Sequence, residues 1–253
     1  MTDLRKVLLL LWSMLFSSAG LTEPLVLYTE QFPPYNFLQQ EEIVGINTEL
    51  VALSCQHAAI ECQFELYPWL RAYDNAIKHP FSGIFSTART AERQTLFQWV
   101  GPLSSSRGFF YRLKSRPDIQ VNSLADAKNY IIGVARGDAY ELYLLNEGFR
   151  YGENLLGFTN KADVVALFLQ GKVDLLIGSD RIVPHWLQNH DADMSDLKAV
   201  FELKHVGSNY LALNPAVPAD IVKRLQAALD KLMADGELLR RLNQKYLQHK
   251  ANP

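Results

Sequence analysis

Residues 85–102, FSTARTAERQTLFQWVGP, place two arginines four positions apart among small hydroxyl side chains. The arginines are Arg89 and Arg93, and Ser86 and Thr90 lie close to them in the chain. A guanidinium beside hydroxyl groups can hold a small anion, above all a carboxylate, through paired hydrogen bonds. The same pattern also fits the exposed start of a helix with Thr90 as the N-cap. The segment therefore has two interpretations, an anion clamp and a plain helix terminus.

Further candidate recognition groups follow other predicted strands. Arg136 lies in a loop after a strand, as Arg93 does, and Asp138 with Glu141 fits a capping box in RGDAYE. Asp180 ends the segment VDLLIGSD, where a carboxylate alone is weak evidence for acid–base catalysis. Aromatic side chains near the first strand ends suit either the walls of a ligand cleft or the core, namely Phe32, Tyr35, Phe37, Tyr67 and Trp69.

Motifs of the common enzyme classes are missing from the sequence. It has no G-x-S-x-G, H-E-x-x-H or P-loop motif, and GVARGD lacks the third glycine of the dinucleotide fingerprint. The six histidines do not have metal-ligand spacing. A net charge of −2 with 48% apolar residues is that of an ordinary globular chain and suggests no nucleic-acid partner. We therefore expect a binding protein without catalytic residues, metal or cofactor.

The first residues, MTDLRKVLLLLWSMLFSSAG, differ in character from the rest of the chain. Two basic residues precede an apolar run from Val7 to Phe16, and Ser17 and Ala19 fit a cleavage site. The pattern predicts a secretory signal peptide over residues 1–19 and hence a periplasmic protein. A membrane anchor is the alternative, although the run is short for crossing a bilayer.

The chain has two cysteines, Cys55 and Cys62, the first in a helical pattern and the second at the start of an alternating strand. In an oxidising compartment they can form a disulfide if their side chains face each other. Two buried thiols are the alternative, because free cysteine packs as a small apolar residue. With only His57 nearby and no second cysteine pair, the pattern does not favour a zinc site.

From Leu25 onward, short apolar strands alternate with amphipathic helices, which is typical of an α/β protein. PLVLYTE, ECQFELYPW and VDLLIGSD are predicted strands, and LRAYDNAIKHP and KADVVALFLQGK are predicted helices. NTELVALSCQHA is a further helix, with Asn47 as its predicted capping residue. Two α/β lobes joined by crossing strands would accommodate this order, and ligands bind at the strand ends of such sheets.

Seven segments in chain order resemble the family 3 periplasmic solute-binding proteins, which include receptors for polar amino acids. They are YTEQFPPYNF, GINTELV, PWLRAYDNAI, ARTAERQTLFQWVGPL, IIGVARGDAYELYL, LQGKVDLLIGSD and YLALNP, between about Leu25 and Leu247. The resemblance implies a two-lobed periplasmic-binding-protein fold with the ligand cleft between the lobes. It implies a first lobe of residues 24–108 plus 205–253 and a second lobe of residues 109–204.

The resemblance also implies roles for individual residues. Arg93 would hold a ligand carboxylate with help from Ser86, Ala88 and the helix start at residues 137–139. Asp180 would stand near the place of the acid that holds an amino group. Because some relatives carry a disulfide with the same spacing, the resemblance favours the bond between the two cysteines. The full set of predicted ligand-binding residues is Phe32, Trp69, Ser86, Ala88, Arg93, Arg136, Gly137, Asp138, Ala139 and Asp180.

Three positions depart from the family pattern. Ala88 and Ala139 stand where many amino-acid-binding members have Ser or Thr, so neither can offer a hydroxyl. The usual amino-group acid falls on Ser179, with Asp180 one residue later, and such a shift on a strand turns the side chain to the other face. These departures weaken the case for a strict α-amino acid ligand.

The expected function is capture of a small polar, carboxylate-bearing solute, an amino acid or a related compound, by a monomer that serves a membrane transporter or a receptor. Two alternatives belong to other classes. One is a dehydratase-like enzyme on the same fold, which needs a cleft carboxylate such as Asp138 or Asp180 beside the substrate. The other is a signalling module without a small ligand, in which the aromatic residues form an interface or core.

Overall fold

The computed structural model describes residues 23–159, 161–203 and 207–247, so the predicted signal peptide lies outside the described residues. The described residues contain twelve β-strands: β1 (Leu25–Thr29), β2 (Phe37–Gln39), β3 (Glu42–Val44), β4 (Cys62–Leu66), β5 (Ser82–Thr87), β6 (Gln98–Ser105), β7 (Gly108–Leu113), β8 (Ile132–Ala135), β9 (Leu155–Phe158), β10 (Leu175–Ser179), β11 (Leu197–Leu203) and β12 (Ser208–Leu213). They also contain eight α-helices: α1 (Ile46–His57), α2 (Trp69–Lys78), α3 (Leu124–Ala127), α4 (Ala139–Asn146), α5 (Lys161–Leu169), α6 (Val183–Gln188), α7 (Ala219–Met233) and α8 (Gly236–Leu247).

The first lobe is a five-stranded sheet in the order β4-β1-β5-β12-β6, with helices α1, α2, α7 and α8. Strand β1 runs parallel to β4 and β5, whereas β12 runs antiparallel to β5 and β6. Every residue of β5 is buried, as expected for a central strand that is covered on both faces.

The second lobe is a five-stranded sheet in the order β11-β7-β10-β8-β9, with helices α3 to α6. Strands β8, β9 and β10 are parallel, and β7 is antiparallel to both β10 and β11. The chain leaves the first sheet at Ser105, enters the second at Gly108, and returns between Leu203 and Ser208. The lobe boundaries drawn from the sequence remain a prediction.

Successive side chains along a strand point to opposite faces of the sheet, so apolar strand residues form a core on each face. On β1 and β5, Leu27 and Phe85 pack with α1 and α7, while Tyr28 and Ile84 point to the opposite face and pack with α2. Each such apolar side chain contributes roughly 1.5–3 kcal/mol when it is fully buried. Because helices cover both faces, the α/β class predicted from the alternation is confirmed. Within the described ranges, no helix is long and apolar enough to cross a membrane.

Two predicted helix starts are wrong. Helix α1 begins at Ile46 after Gly45, and Asn47 lies in its first turn, where its side-chain amide donates to the Ser86 hydroxyl at 2.9 Å. Residues 91–96 form turns rather than a helix, so Thr90 caps nothing. Helix propensity is a local property of the sequence, and contacts between distant segments can override it.

The predicted disulfide is present, and it joins Cys55 in α1 to Cys62, the first residue of β4. The two Cα atoms lie 6.2 Å apart. The bond ties the end of a helix to the edge strand of the first sheet, across the short loop between them.

Replacing both cysteines by alanine is expected to lower the free energy of unfolding by about 2–3 kcal/mol, because a loop of this length then gains entropy in the unfolded chain. Guanidinium denaturation of the wild type and of Cys55→Ala/Cys62→Ala measures the change. The sequence has no other cysteine, so a thiol reductant should destabilise the wild type to a similar extent and leave the variant unchanged. Equal denaturation midpoints for oxidised wild type and variant would contradict the prediction.

Candidate functional site

The candidate site is the cleft between the two lobes. Its central cavity has a volume of about 60 Å³ and is lined by residues of both sheets and their loops. Larger cavities of about 580 Å³ and about 500 Å³ flank it and share several of its lining residues. Many of its residues follow strand ends, as α/β architecture predicts for a binding site.

Arg93 reaches this cavity from the turns after β5, and its residue is only 4% exposed. Its guanidinium donates to the Thr87 hydroxyl at 3.1 Å and to the Ala88 carbonyl at 3.4 Å. The rings of Trp69 and Tyr73 lie 5.0 and 5.2 Å from the guanidinium carbon. Burial lowers the pKa of Arg93, yet arginine keeps its charge in proteins. Arg93 is therefore a buried cation beside a pair of aromatic rings whose own centres lie 5.5 Å apart.

No carboxylate in the described part of the chain forms an ion pair with Arg93. Its hydrogen-bond acceptors are the neutral oxygens of Thr87, Ala88 and Gly137. A buried charge with neutral partners alone carries a desolvation penalty that an anion can offset. Arg93 is therefore a buried charge without an ion pair in the described residues, and the carboxylates of Asp138 and Glu92 act on it only from a longer distance.

The carbonyl of Gly137 joins the lobes. It accepts the indole N–H of Trp69 at 2.7 Å and the Arg93 Nη2 at 2.9 Å, both from the first lobe. Gly137 has a φ of +74°, and a Cβ atom there would lie 2.5 Å from Leu70 Cδ2 and 3.2 Å from Trp69 Nε1. We call these two hydrogen bonds the cross-lobe contact. It requires glycine both for the backbone conformation and for the close approach of Trp69.

Gly137→Ala is expected to lower the free energy of unfolding by about 1–3 kcal/mol and to separate the lobes, because φ is strained and the Trp69 indole must shift. Gly152→Ala is the matched control, since its φ is +79° and nothing lies within 4 Å of the new Cβ atom. Urea denaturation reports stability, and small-angle X-ray scattering reports the radius of gyration. Identical scattering of the two variants would show that the cross-lobe contact tolerates a side chain.

Lys161 lies in the same cleft, where its ammonium forms an ion pair with carboxylates of both lobes. Its Nζ lies 3.1 Å from Glu30, which follows β1, and 3.0 Å from Asp138, which precedes α4. The same atom lies 4.3 Å from the centre of the Phe32 ring. All three charged side chains are at most 18% exposed. Lys161 thus bridges the lobes in the wall of the central cavity.

The charges of this cluster change one another's pKa values. Burial alone would lower the pKa of Lys161, but the carboxylates of Asp138 and Glu30 outweigh it and raise the pKa. Burial alone would raise the pKa of Asp138, but the Lys161 ammonium and the N–H of Tyr140 lower it below its usual value. Burial raises the pKa of Glu30, which Lys161 only partly offsets. Of the two carboxylates, Asp138, which also accepts the N–H of Tyr140, is therefore the one that ionises more readily.

Asp138 is also the N-cap of α4, as predicted, and its carboxylate accepts the N–H of Tyr140 at 3.0 Å. The predicted capping box is wrong in its second half. Glu141 accepts the N–H of Gly137 at 2.5 Å, one residue before the cap, and its other oxygen accepts the Tyr151 hydroxyl. Because Glu141 holds the Gly137 peptide from behind, it helps to orient the carbonyl of the cross-lobe contact.

The structure brings most of the predicted site residues to the central cavity. Phe32, Trp69, Ser86, Ala88, Arg93, Asp138 and Ala139 line it, and Gly137 adjoins it through its carbonyl. The Ser86 hydroxyl accepts from the Asn47 amide and donates to the Asn36 side chain, so it serves an internal network. Ala88 contributes only backbone, as expected from its side chain.

Two predicted site residues lie away from the central cavity. Arg136 lines the cavity of about 500 Å³, and its guanidinium stacks on the Tyr151 ring at 4.9 Å. Asp180 accepts the backbone N–H of Arg107 at 3.1 Å, where the chain crosses between the sheets. Ser179 is the last residue of β10 and is buried. The next residue, Asp180, is hydrogen-bonded to the segment that crosses between the sheets and does not line the central cavity.

Sequence reasoning missed Glu30 and Lys161. Glu30 directly follows β1, and Lys161 is the first residue of α5, close after β9. Both residues thus lie close after strand ends, where recognition groups are expected in an α/β sheet. A lysine at a helix N-terminus is also disfavoured by the helix dipole, which indicates that another interaction holds it there.

The two sheets, the double crossing and the cleft between the sheets define the class of two-lobed α/β proteins with a binding site between the lobes. The chain belongs to the bacterial extracellular solute-binding proteins, family 3, whose family model matches residues 25–249. The family and the periplasmic-binding-protein fold predicted from the sequence are thus confirmed. No curated protein matches the sequence significantly.

Three solved structures of similar fold come from proteins with different partners or ligands in their descriptions. The amino acid ABC transporter substrate-binding protein AbpA from Streptococcus pneumoniae, bound to L-arginine, is 16% identical, with a TM-score of 0.73 over 91% of this chain and 97% of that one. A histidine kinase sensor domain is 18% identical, with a TM-score of 0.75 over 89% and 96%. The GluR0 ligand-binding core from Nostoc punctiforme, in complex with L-glutamate, is 16% identical, with a TM-score of 0.72 over 88% and 99%. At these identities the likeness concerns the fold alone.

Proposed function

We propose that this chain is a periplasmic solute-binding protein that captures a small polar solute bearing a carboxylate and presents it to a membrane transporter or a sensor. The observation that carries the proposal is Arg93, a buried cation at the central cavity whose acceptors are all neutral. A ligand carboxylate would supply the missing anion through charge-assisted hydrogen bonds. The proposed activity is binding without turnover.

In this proposal, the carboxylate lies between Arg93 of the first lobe and the start of α4 in the second. The Ala139 side chain lines the cavity there and carries no polar group, so its contribution is its backbone. Trp69 forms an apolar wall on the side of the first lobe. Because such a ligand contacts both lobes at once, it stabilises their closed arrangement over an open one.

Two of the similar structures support the choice of partner. One is described as the substrate-binding protein of an amino acid ABC transporter and the other as a histidine kinase sensor domain. A two-lobed protein that closes on its ligand presents a different surface in each state, and a transporter or a sensor can distinguish the two states.

The experiment is isothermal titration calorimetry of the purified protein with pairs of small acids and their amides, for example lactate with lactamide and propionate with propionamide. We expect each acid that binds to do so about tenfold or more tightly than its amide, since the amide lacks the charge that Arg93 needs. NMR spectra of the recovered solute should be unchanged. Acids and amides that bind equally well would overturn the proposal.

A further inference from the structure

The surroundings of the Lys161 ammonium are those of a binding site for an organic cation. The carboxylates of Glu30 and Asp138 lie 3.1 and 3.0 Å from Nζ, and the Phe32 ring lies 4.3 Å from it. Two carboxylates and an aromatic face are the groups that proteins use to hold ammonium and guanidinium ligands. We call these three side chains the cation seat. In this chain, the seat holds the protein's own lysine.

The charges around the central cavity balance only when this lysine is counted. Among the described residues that line the cavity, the charged ones are Glu30, Arg93, Asp138 and Lys161. Lys161 lies within ion-pair distance of both carboxylates, whereas Arg93 forms no ion pair among the described residues, so the Arg93 guanidinium remains for a ligand. A ligand ammonium would then find both carboxylates already paired and two cations nearby. The pairing of both carboxylates with Lys161 therefore disfavours a ligand that carries an ammonium beside its carboxylate.

Lys161 also lies at the border of two cavities. It lines the central cavity and the flanking cavity of about 500 Å³, together with Glu30 and Asp138. A ligand group that entered the cation seat would have to displace this side chain and break its ion pairs with both lobes.

We propose that Lys161 is a specificity-determining residue, a built-in cation that occupies the cation seat so that the cleft selects small carboxylates without an amino group and rejects α-amino acids. The ligand class is that of hydroxy, oxo or unsubstituted short-chain acids. The carboxylate half of this statement rests on the proposed function, whereas the occupation of the cation seat by Lys161 does not.

The first test removes the Lys161 side chain from the cation seat and supplies a small organic cation in its place. Thermal unfolding of the wild type, Lys161→Ala and Lys172→Ala is measured with n-propylammonium chloride and with sodium chloride at equal ionic strength. Lys172 is an exposed lysine of the same lobe. We expect propylammonium to raise the melting temperature of Lys161→Ala in a saturable manner and to leave the other two proteins unchanged. A folded Lys161→Ala protein that gains nothing from propylammonium, or an equal gain in all three proteins, would overturn the inference.

The second test uses the wild type alone and so does not depend on the folding of a variant. Lactate and L-alanine share a carboxylate and a methyl group and differ in a hydroxyl against an ammonium. We expect the wild type to bind alanine about tenfold or more weakly than lactate. Alanine binding as tight as that of lactate would overturn the inference. If no acid binds, the proposed function fails, while the propylammonium test still decides whether the cation seat exists.

Discussion

Replacing Arg93 by alanine is expected to weaken binding of the carboxylate ligand by about 100-fold. Loss of a buried charge-assisted pair costs about 2–5 kcal/mol, and each 1.4 kcal/mol is about a factor of ten in affinity. Arg93 is the cation of the cavity that lacks a carboxylate partner in the described residues, and its removal also deletes one of the two hydrogen bonds to Gly137. Calorimetry with the acid that binds the wild type most tightly measures the loss.

Arg89→Ala is the control for this variant. Arg89 lies four residues away, is exposed, and donates to Gln94 at 2.7 Å on the surface. The Arg89→Ala substitution removes the same charge from the same segment, so the affinity of this variant for the acid should stay within about twofold of the wild type. Circular dichroism verifies that both variants are folded. A similar loss in both would mean that the effect comes from net charge and would contradict a carboxylate clamp at Arg93.

The second large effect is expected from Asp138→Asn, which should lower the free energy of unfolding by about 3 kcal/mol. Removing one partner of a buried ion pair leaves the other charge incompletely paired, which costs about 3–5 kcal/mol when no partner remains. Here Glu30 remains at 3.1 Å, so the lower end applies. Asparagine still caps a helix, so α4 keeps its start. The variant therefore isolates the charge at this position.

Asp74→Asn is the matched control. Asp74 pairs with Lys78 at 2.6 Å, but both side chains are more than half exposed. An exposed pair contributes at most about 1 kcal/mol. Urea denaturation at pH 7 compares the two variants with the wild type. Equal losses for Asp74→Asn and Asp138→Asn would show that the cluster in the cleft is no stronger than a surface pair.

The difference between wild type and Asp138→Asn should depend on pH. The pKa of Asp138 is lower in the folded protein than in the unfolded chain. Its contribution is therefore complete above the ordinary aspartate pKa of about 3.9 and is lost as the pH falls through the lowered native value. Denaturation curves at pH 7, 5 and 3 should show a constant difference at the first two values and a smaller one at the third. A difference in the free energy of unfolding that grows on acidification would contradict the downward shift of the Asp138 pKa.

The parts of the fold that the sequence predicted are those that local patterns determine. Alternating strands and helices gave the α/β class, and the family resemblance gave the disulfide between Cys55 and Cys62. The placement of Arg93 and Asp138 beside the cleft follows from their positions after strands. Their roles towards a ligand stay predictions.

The parts that the sequence did not predict depend on contacts between distant segments. Lys161 meets Glu30 across 131 positions of the chain and across two lobes, which no local pattern reports. Asp180 lies outside the central cavity because its carboxylate contacts Arg107 in the segment that crosses between the sheets, 73 positions away in the chain. Asn47 does not cap helix α1, because its side-chain amide donates to the hydroxyl of Ser86 in β5. Tertiary contacts decide such positions.

The cross-lobe contact has a consequence for how this protein can change over generations. One of its two donors, Arg93, is also the proposed clamp for the solute, and its acceptor belongs to a residue that must be glycine. Lys161, the proposed specificity residue, likewise bridges the two lobes through Glu30 and Asp138. Solute preference and lobe closure therefore share atoms, and a lineage that exchanges one cargo for another must adjust its closing contacts at the same time.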